Sequence, residues 1–343
     1  LFTLGLLVSG WRYARSPGTG WAMVCGIFVG LMYATKETSL LTFTAMAAAL
    51  ACVWIWRGSP GRPNRMHGFL GLLSALLTAV IFLSGFGANL SGPLDSLHGY
   101  TDSLHRGLGG EGLHNHPWHY YLHMLLFSRY GQGPIWSEAL ILGLAAVGLF
   151  TAVRGRIPGL WFVRFTAIYT LLLTALYSAI PYKTPWCMLS PLHGMILLAG
   201  VGAATLVHDL PNRLWKVIAC TLLSLACVHL GWQAHRSAFR FAADSRNPYV
   251  YAQTTPDTVR LGARVKALAR LQPDGKNLRV NVMASGGDYW PLPWYLRKLH
   301  PDRIGYWSDV PSNPDAPVVI AGASLGPSLD KALKHRYHTS YFG

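Results

Sequence analysis

Long apolar runs alternate with short polar connections through the first two-thirds of the chain. A helix needs about 20 residues to cross the hydrocarbon core of a membrane, and eight runs approach that length. They are residues 1–14, 21–35, 38–56, 67–88, 135–153, 160–177, 187–207 and 215–232. The pattern predicts an α-helical polytopic membrane domain over residues 1–235 with about eight spans. The first run starts at residue 1 without a methionine, so we expect the domain to be truncated at its N-terminus.

The pattern changes after residue 235. Leu261, Val265 and Leu268 share one face of a predicted helix over residues 255–271, and residues 278–284 alternate as a strand. Further strands are predicted at 303–307 and 317–321, and further helices at 292–299 and 328–335. The pattern indicates a small α/β soluble domain over residues 236–343, and we expect that it is truncated at its C-terminus.

Composition supports this division. The chain is 51% hydrophobic and 13% charged, whereas an ordinary soluble domain is about 25% charged. Eight of its 14 acidic residues follow residue 236. The net charge of +15 is of the kind found in nucleic-acid-binding proteins. Many of the basic residues lie in short loops between apolar runs, however, so no nucleic-acid partner is expected.

The basic loop residues predict an orientation. Ten lysines and arginines fall on one side of the predicted spans, at positions 12, 15, 57, 62, 65, 154, 156, 164, 213 and 216, and four fall on the other, at positions 36, 106, 129 and 183. Cytoplasmic loops carry the excess of positive charge. The sequence therefore predicts an integral protein of the plasma or inner membrane, with its C-terminal domain and the loops containing Lys36 and Lys183 outside the cytoplasm.

The connection at residues 178–186 is a candidate site on that outer side. Pro181 and Pro185 stiffen it, and Lys183 is expected to place a cation at the membrane surface. Tyr182 and Trp186 flank this lysine, and such aromatic residues suit a membrane interface. The alternative interpretation is a plain turn with a lysine that extends to the interface beside two interfacial aromatic residues.

A second candidate is the pair Lys36 and Glu37, which separates two apolar runs. Charged residues at membrane depth are energetically unfavourable and often functional. On the functional interpretation, Lys36 contacts an anionic lipid head group while Glu37 orients that lysine or a metal. On the alternative, the two side chains form a mutual ion pair at a helix turn.

Four histidines, at positions 114, 116, 119 and 123, form a third candidate. Imidazole is a common metal ligand, but the spacing is not that of a complete metal site, and Glu111 is the nearest carboxylate. His114 and His116 are the candidates for contact with a divalent metal or an acceptor. The alternative is a set of interfacial histidines that hydrogen-bond to backbone or lipid.

Together these motifs resemble a known family. The matching segments are Ala34-Thr-Lys-Glu-Thr38, His114-Asn-His-Pro-Trp-His-Tyr-Tyr121, Pro181-Tyr-Lys-Thr-Pro-Trp186, Asn247-Pro-Tyr-Val-Tyr251, Thr254-Thr-Pro-Asp257 and Trp290-Pro-Leu-Pro-Trp-Tyr-Leu296. They resemble the flippase activity-associated membrane proteins. These belong with the dolichyl-phosphate-mannose protein mannosyltransferase-like and aminoarabinose-transferase-like proteins among the GT-C glycosyltransferases. The resemblance covers most of the chain.

The resemblance implies a GT-C-like multi-span fold that transfers a sugar, such as a hexose or mannose, from a polyprenyl-phosphate-linked donor at the extracytoplasmic face. The catalytic residue would be an acidic one in the first outer loop, which is expected upstream of this sequence and stays unassigned. Lys36, Lys183 and Tyr182 are the candidates for binding the lipid phosphate, supported by Glu37 and Trp186.

The alternative function is a non-catalytic flippase or transporter component, or an accessory subunit. A transporter would favour internal repeats and charges at the membrane midplane. The sequence shows no internal repeat, and its unusual polar residues collect on one predicted face, which favours the enzyme.

Overall fold

In a computed structural model, the chain is mostly helical and divides into two compact units. One unit comprises Leu1–Arg240 with Arg246–Tyr251, and the other Phe241–Ser245 with Ala252–Gly343. The structure describes residues 1–57, 64–107, 114–155, 157–251 and 254–342. Arg62, Arg156 and Glu111, which entered the sequence predictions, lie outside these ranges.

The first unit is a helical bundle. Its helices are α1 (Phe2–Arg15), α2 (Thr19–Thr35), α3 (Ser39–Arg57), α4 (Arg65–Leu83), α5 (Gly92–Gly107), α6 (Tyr120–Leu126), α7 (Ala139–Arg154), α8 (Leu160–Ala179), α9 (Leu189–Asp209) and α10 (Arg213–His235). Within the described residues, α3, α4, α8, α9 and α10 are long and apolar enough to cross a membrane, while α2 and α7 are shorter apolar helices. These helices identify a membrane protein, and the total of about eight spans stays a prediction.

Glycines allow two helix pairs to pack with their backbones nearly in contact. A Cβ on Gly26 of α2 would lie 2.0 Å from the backbone oxygen of Gly71 in α4. A Cβ on Gly202 of α9 would lie equally close, 2.0 Å, to the oxygen of Leu144 in α7. Small residues at such contacts let membrane helices approach closely and gain van der Waals attraction. These glycines therefore set the distance between α2 and α4 and between α7 and α9.

Residues 89–134 contain no long apolar run and are therefore predicted from the sequence to form a long polar loop, but the described parts of this region contain two helices. It contains α5, of 16 residues, and the short helix α6. The prediction failed because α5 contains many His, Asp, Ser and Gly residues and lacks a continuous apolar run. Its amphipathic pattern is nevertheless helical, as described below.

The second unit is built on a three-stranded parallel sheet in the order β2–β1–β3. The strands are β1 (Val280–Met283), β2 (Ile304–Trp307) and β3 (Val318–Ala321), and the helices are α11 (Pro256–Leu271), α12 (Leu292–Leu296) and α13 (Gly326–Ala332). The central strand β1 is buried along its whole length, as expected for a strand covered on both faces. The predicted strands and helices are confirmed, although α12 is shorter than predicted and α13 begins earlier.

Candidate functional site

A cavity of about 360 Å³ lies where several helix ends of the first unit meet. Its wall is formed by the turn between α2 and α3, by α5, and by the segment that joins α8 to α9. Its polar and aromatic lining includes Lys36, Glu37, Tyr100, Tyr177, Tyr182 and Trp186. The cavity thus brings together residues of two motifs that are almost 150 positions apart in the sequence.

Lys36 and Glu37 occupy the turn between α2 and α3. Lys36 caps the C-terminus of α2, where the helix dipole favours a cation. The backbone N–H of Ser39 donates to the carbonyl of Lys36 at 3.0 Å and starts the next helix. Lys36 is exposed and Glu37 is half-buried. No ion pair joins these two side chains, both of which the structure describes, so the interpretation as a mutual ion pair is wrong.

The Pro-Tyr-Lys-Thr-Pro connection pairs with the histidine motif. Tyr182 forms an antiparallel bridge with Asn115. The N–H of Lys183 donates to the carbonyl of His114 at 2.9 Å, and the N–H of His116 donates to the carbonyl of Pro181 at 3.1 Å. The sequence analysis treated these two motifs as separate, but the backbone bonds join them into one element.

Lys183 is buried, with only 1% of its surface exposed. Its Nζ turns back to donate to the carbonyl of Ile180, at the C-terminal end of α8. Burial lowers the pKa of this lysine. The expectation that Lys183 places a cation at the membrane surface is therefore wrong, because the side chain is buried and bound to a backbone carbonyl. Its side chain instead supports the turn that carries Tyr182 into the cavity wall.

His114 and His116 lie beside this turn. The His114 ring packs edge-on against Tyr182, with 5.1 Å between ring centroids, and is hydrogen-bonded to the Tyr251 hydroxyl. His116 stacks on Tyr120 at 4.1 Å. Burial, followed by the nearby Lys183 and His114, lowers the pKa of His116, which favours its neutral ring.

A metal site is not formed by these histidines in the part of the chain that the structure describes. No three His, Cys, Asp or Glu side chains come together there in an arrangement that could hold a metal ion. The contacts to Tyr251, Tyr182 and Tyr120 instead give the two rings a structural role. Glu111, the nearest carboxylate in the sequence, lies outside the described residues.

Tyr251 is a member of the site that sequence reasoning did not assign. Its ring packs edge-on against Trp186, with centroids 5.0 Å apart, and its hydroxyl meets His114. The motif that resembles a known family, residues 247–251, was the available signal. That motif could not show the contact, because Trp186 and Tyr251 lie 65 positions apart in the sequence.

A buried polar network holds the segment that delivers Tyr251. Trp136 donates through Nε1 to the carbonyl of Arg246 at 2.9 Å, and Gln233 donates through Nε2 to the carboxylate of Glu138 at 3.0 Å. Glu138 also accepts a hydrogen bond from the hydroxyl of Tyr249. Burial, together with the neighbouring carboxylate of Glu138, raises the pKa of Tyr249. The segment is thereby fixed to the ends of α7 and α10.

Tyr100 is the second residue that the sequence did not single out. It reaches from α5 to the end of α2, where its hydroxyl donates to the carbonyl of Tyr33 at 2.8 Å and its ring stacks on Tyr33 at 4.9 Å. Burial raises the pKa of Tyr100, so its phenol stays neutral. Tyr100 therefore forms a fixed part of the cavity wall.

No family model, curated protein or solved structure matches this chain. The site is thus defined by its own geometry. It is a cavity with an exposed cation, a half-buried carboxylate and several aromatic rings, at one end of a helical membrane bundle. Such a set of groups suits an amphiphilic anion, with the cation for its charge and the aromatic rings for a ring-shaped or apolar part.

Proposed function

We propose that the protein is a membrane glycosyltransferase of GT-C type, which transfers a sugar from a polyprenyl-phosphate-linked donor at the extracytoplasmic face. The observation that carries the proposal is the cavity where Lys36 and Glu37 share a wall with Tyr182 and Trp186. The family resemblance of these same motifs supports it. The transfer of a sugar, the acceptor and the extracytoplasmic position of the cavity are all parts of this proposal.

Lys36 is the proposed ligand of the donor phosphate. It is exposed, lines the cavity and has no ion-pair partner in the described part of the chain, so its charge is available. A cation placed where negative charge develops on a leaving group stabilises the transition state. Tyr182 lines the same cavity and can donate its hydroxyl hydrogen to a phosphate oxygen.

In the proposed reaction, a hydroxyl oxygen of the acceptor attacks the anomeric carbon of the sugar. The bond from that carbon to the phosphate oxygen breaks, and the polyprenyl phosphate leaves with the electron pair. The proton of the acceptor hydroxyl passes to a carboxylate. Glu37 is a carboxylate that lines the cavity; the principal catalytic carboxylate that the family resemblance implies stays unassigned.

Lys183 is proposed as a positioning residue. Its buried Nζ binds the carbonyl of Ile180 and its N–H binds that of His114. The turn held in this way carries Tyr182 and Trp186 at the cavity. Loss of Lys183 would thus act through the placement of two aromatic rings.

The test is sugar transfer by the purified protein in detergent, measured with a panel of radiolabelled polyprenyl-phosphate sugars. We expect transfer by the unaltered protein and a loss of roughly 10²-fold or more in kcat/KM for Lys36→Ala, the scale seen when one transition-state donor is removed. Lys216→Ala is the matched control, since this lysine belongs to the first turn of α10 and should leave transfer unchanged.

Two results would contradict the proposal. One is transfer that is equally fast in Lys36→Ala. The other is an absence of transfer with every donor although the labelled lipid still binds, which would favour a flippase or accessory component. Elution volume and melting temperature of each variant separate loss of activity from loss of folding.

A further inference from the structure

Helix α5 runs across the ends of other helices in the bundle. At its start, Gly92 lies against the carbonyl of Leu83, the last residue of α4. In its middle, Tyr100 reaches Tyr33 near the end of α2. At its end, Gly107 lies 3.9 Å from Ile180, just after α8, as measured from an ideal Cβ. At 1.5 Å per residue these contacts extend over about 22 Å.

The ends of α2, α4 and α8 face the same side of the bundle if each of these helices crosses the membrane in the same direction, as the predicted alternation requires. A helix that touches all three ends must lie along that side. Helix α5 therefore occupies the level where spanning helices end, which is the head-group layer of a bilayer.

One side of α5 packs on the protein. Ser96, Tyr100, Ser103 and Gly107 are partly buried, and their spacing of three or four residues places them in one stripe along the helix. Tyr100, Ser103 and Gly107 line the cavity. This side forms the cavity wall.

A second side is apolar and exposed. Leu94 is 68% exposed and Leu97 is 54% exposed, and their spacing of three residues places them next to each other. Leu90 and Phe86, in the turn before the helix, are exposed as well. This apolar surface follows directly on α4, a helix of membrane-spanning length on which Leu72, Leu76 and Val80 are also exposed.

The third side is polar and exposed. Asp95, His98, Asp102 and His105 are exposed and recur every three or four residues, so that they form one stripe. Successive residues of a helix are 100° apart, so the polar stripe and the packed stripe lie on opposite sides of the helix axis. Leu94 and Leu97 lie between these two stripes. The exposed surface of α5 is thus divided into a polar half and a mainly apolar half, in which Thr101 also lies and donates its hydroxyl to the carbonyl of His98.

We propose that α5 is an interfacial helix whose partner is the lipid bilayer itself. Leu94 and Leu97 insert among the upper acyl chains, while Asp95 and Asp102 face water. The division of the exposed surface supports a lipid partner, because an interfacial helix buries its apolar face only to the level of the acyl chains and keeps its polar face in water. The cavity bordered by α5 then lies at head-group depth.

The inference does not depend on sugar transfer. Any protein with this architecture would place α5 in the interface, whether the cavity binds a donor lipid or another amphiphile. Failure of the transfer assay would leave the position of α5 untouched, and a water-exposed α5 would leave the assignment of Lys36 untouched.

The test uses a fluorescent non-canonical amino acid incorporated singly at positions 94, 97, 98 or 102 in the protein reconstituted into phosphatidylcholine–phosphatidylglycerol vesicles. Quenching is measured with lipids brominated on the upper acyl chain and, separately, with iodide in the outer solution. Vesicles with protein inserted in both orientations are opened to iodide by freeze–thaw, so that both membrane sides are sampled.

We expect brominated lipid to quench positions 94 and 97 several-fold more strongly than 98 and 102, and iodide to show the reverse order. Equal quenching of all four positions by iodide would overturn the proposal. So would protection of 94 and 97 from both quenchers, because a protein partner or a second copy would then cover the apolar side. All four side chains are exposed, so the substitutions should be tolerated.

Discussion

Two lysines at the same site have opposite surroundings. Lys36 is exposed on the cavity wall, whereas Lys183 is buried and bound to the carbonyl of Ile180. In the sequence the two look alike, since each lies in a short connection between apolar runs. The difference arises from the backbone bonds between residues 114–116 and 181–183, a contact between distant segments that local patterns do not encode.

The buried lysine predicts a pH-dependent stability. Burial lowers the pKa of Lys183 below its ordinary 10.5, so the unfolded chain binds more protons than the folded protein between the two values. Stability therefore rises with pH through that window. We expect the melting temperature of the unaltered protein, relative to Lys183→Met, to be lower at pH 7 than at pH 10.

The control for this measurement is Lys216→Met, which removes a half-buried lysine from the first turn of α10. It corrects for effects of pH on the rest of the protein and on the detergent. A difference between the unaltered protein and Lys183→Met that stays constant from pH 7 to pH 10 would contradict the lowered pKa.

At the scale of elements, the membrane helices could be predicted from the lengths of the apolar runs, and the strands from the alternation of apolar and polar residues. Neither pattern predicts which helices pack against each other. Close approach of α9 to α7 depends on Gly202, which leaves room for the backbone of Leu144. A periodic apolar pattern is the same whether a glycine faces a neighbouring helix or lipid, so packing could not be predicted from the sequence.

The glycine contact gives a second prediction. Gly202→Ala should destabilise the protein by about 1–3 kcal/mol, the usual range for overpacking, because the added methyl group would meet the oxygen of Leu144 at 2.0 Å. Gly200→Ala is the matched control in the same helix, since a Cβ there meets nothing within 4 Å. Equal unfolding free energies of the two variants in detergent and denaturant would contradict the contact.

The difference between local patterns and contacts of distant segments also explains which residues of the cavity could be predicted. The sequence identified Lys36, Glu37, Tyr182 and Trp186, which line one cavity. It did not identify Tyr100, because the pattern of α5 was interpreted as a loop. Nor did it identify Tyr251, whose segment is held by the bonds from Trp136 to Arg246 and from Asn247 to Ser237. The sequence therefore predicted the charged and aromatic residues of local motifs. It could not predict how distant segments assemble into the cavity wall.

At the scale of the whole molecule, the chain combines a helical membrane unit with a small α/β unit. The excess of basic residues in one set of loops predicts which side faces the cytoplasm, and the cavity belongs to the opposite side in that prediction. The cation, the carboxylate and the aromatic rings are then presented at the membrane surface where a lipid-linked sugar would carry its phosphate.

The most direct test of this account is to locate the bound donor. A polyprenyl-phosphate sugar with a photoreactive diazirine on the isoprene unit next to the phosphate is cross-linked to the protein in vesicles, and the adducts are mapped by mass spectrometry. We predict adducts in residues 36–41 and 180–187, displaced by unlabelled donor and weakened in Lys36→Ala. Adducts confined to the exposed surfaces of α4 and α10, and not displaced by unlabelled donor, would contradict the assignment of the cavity.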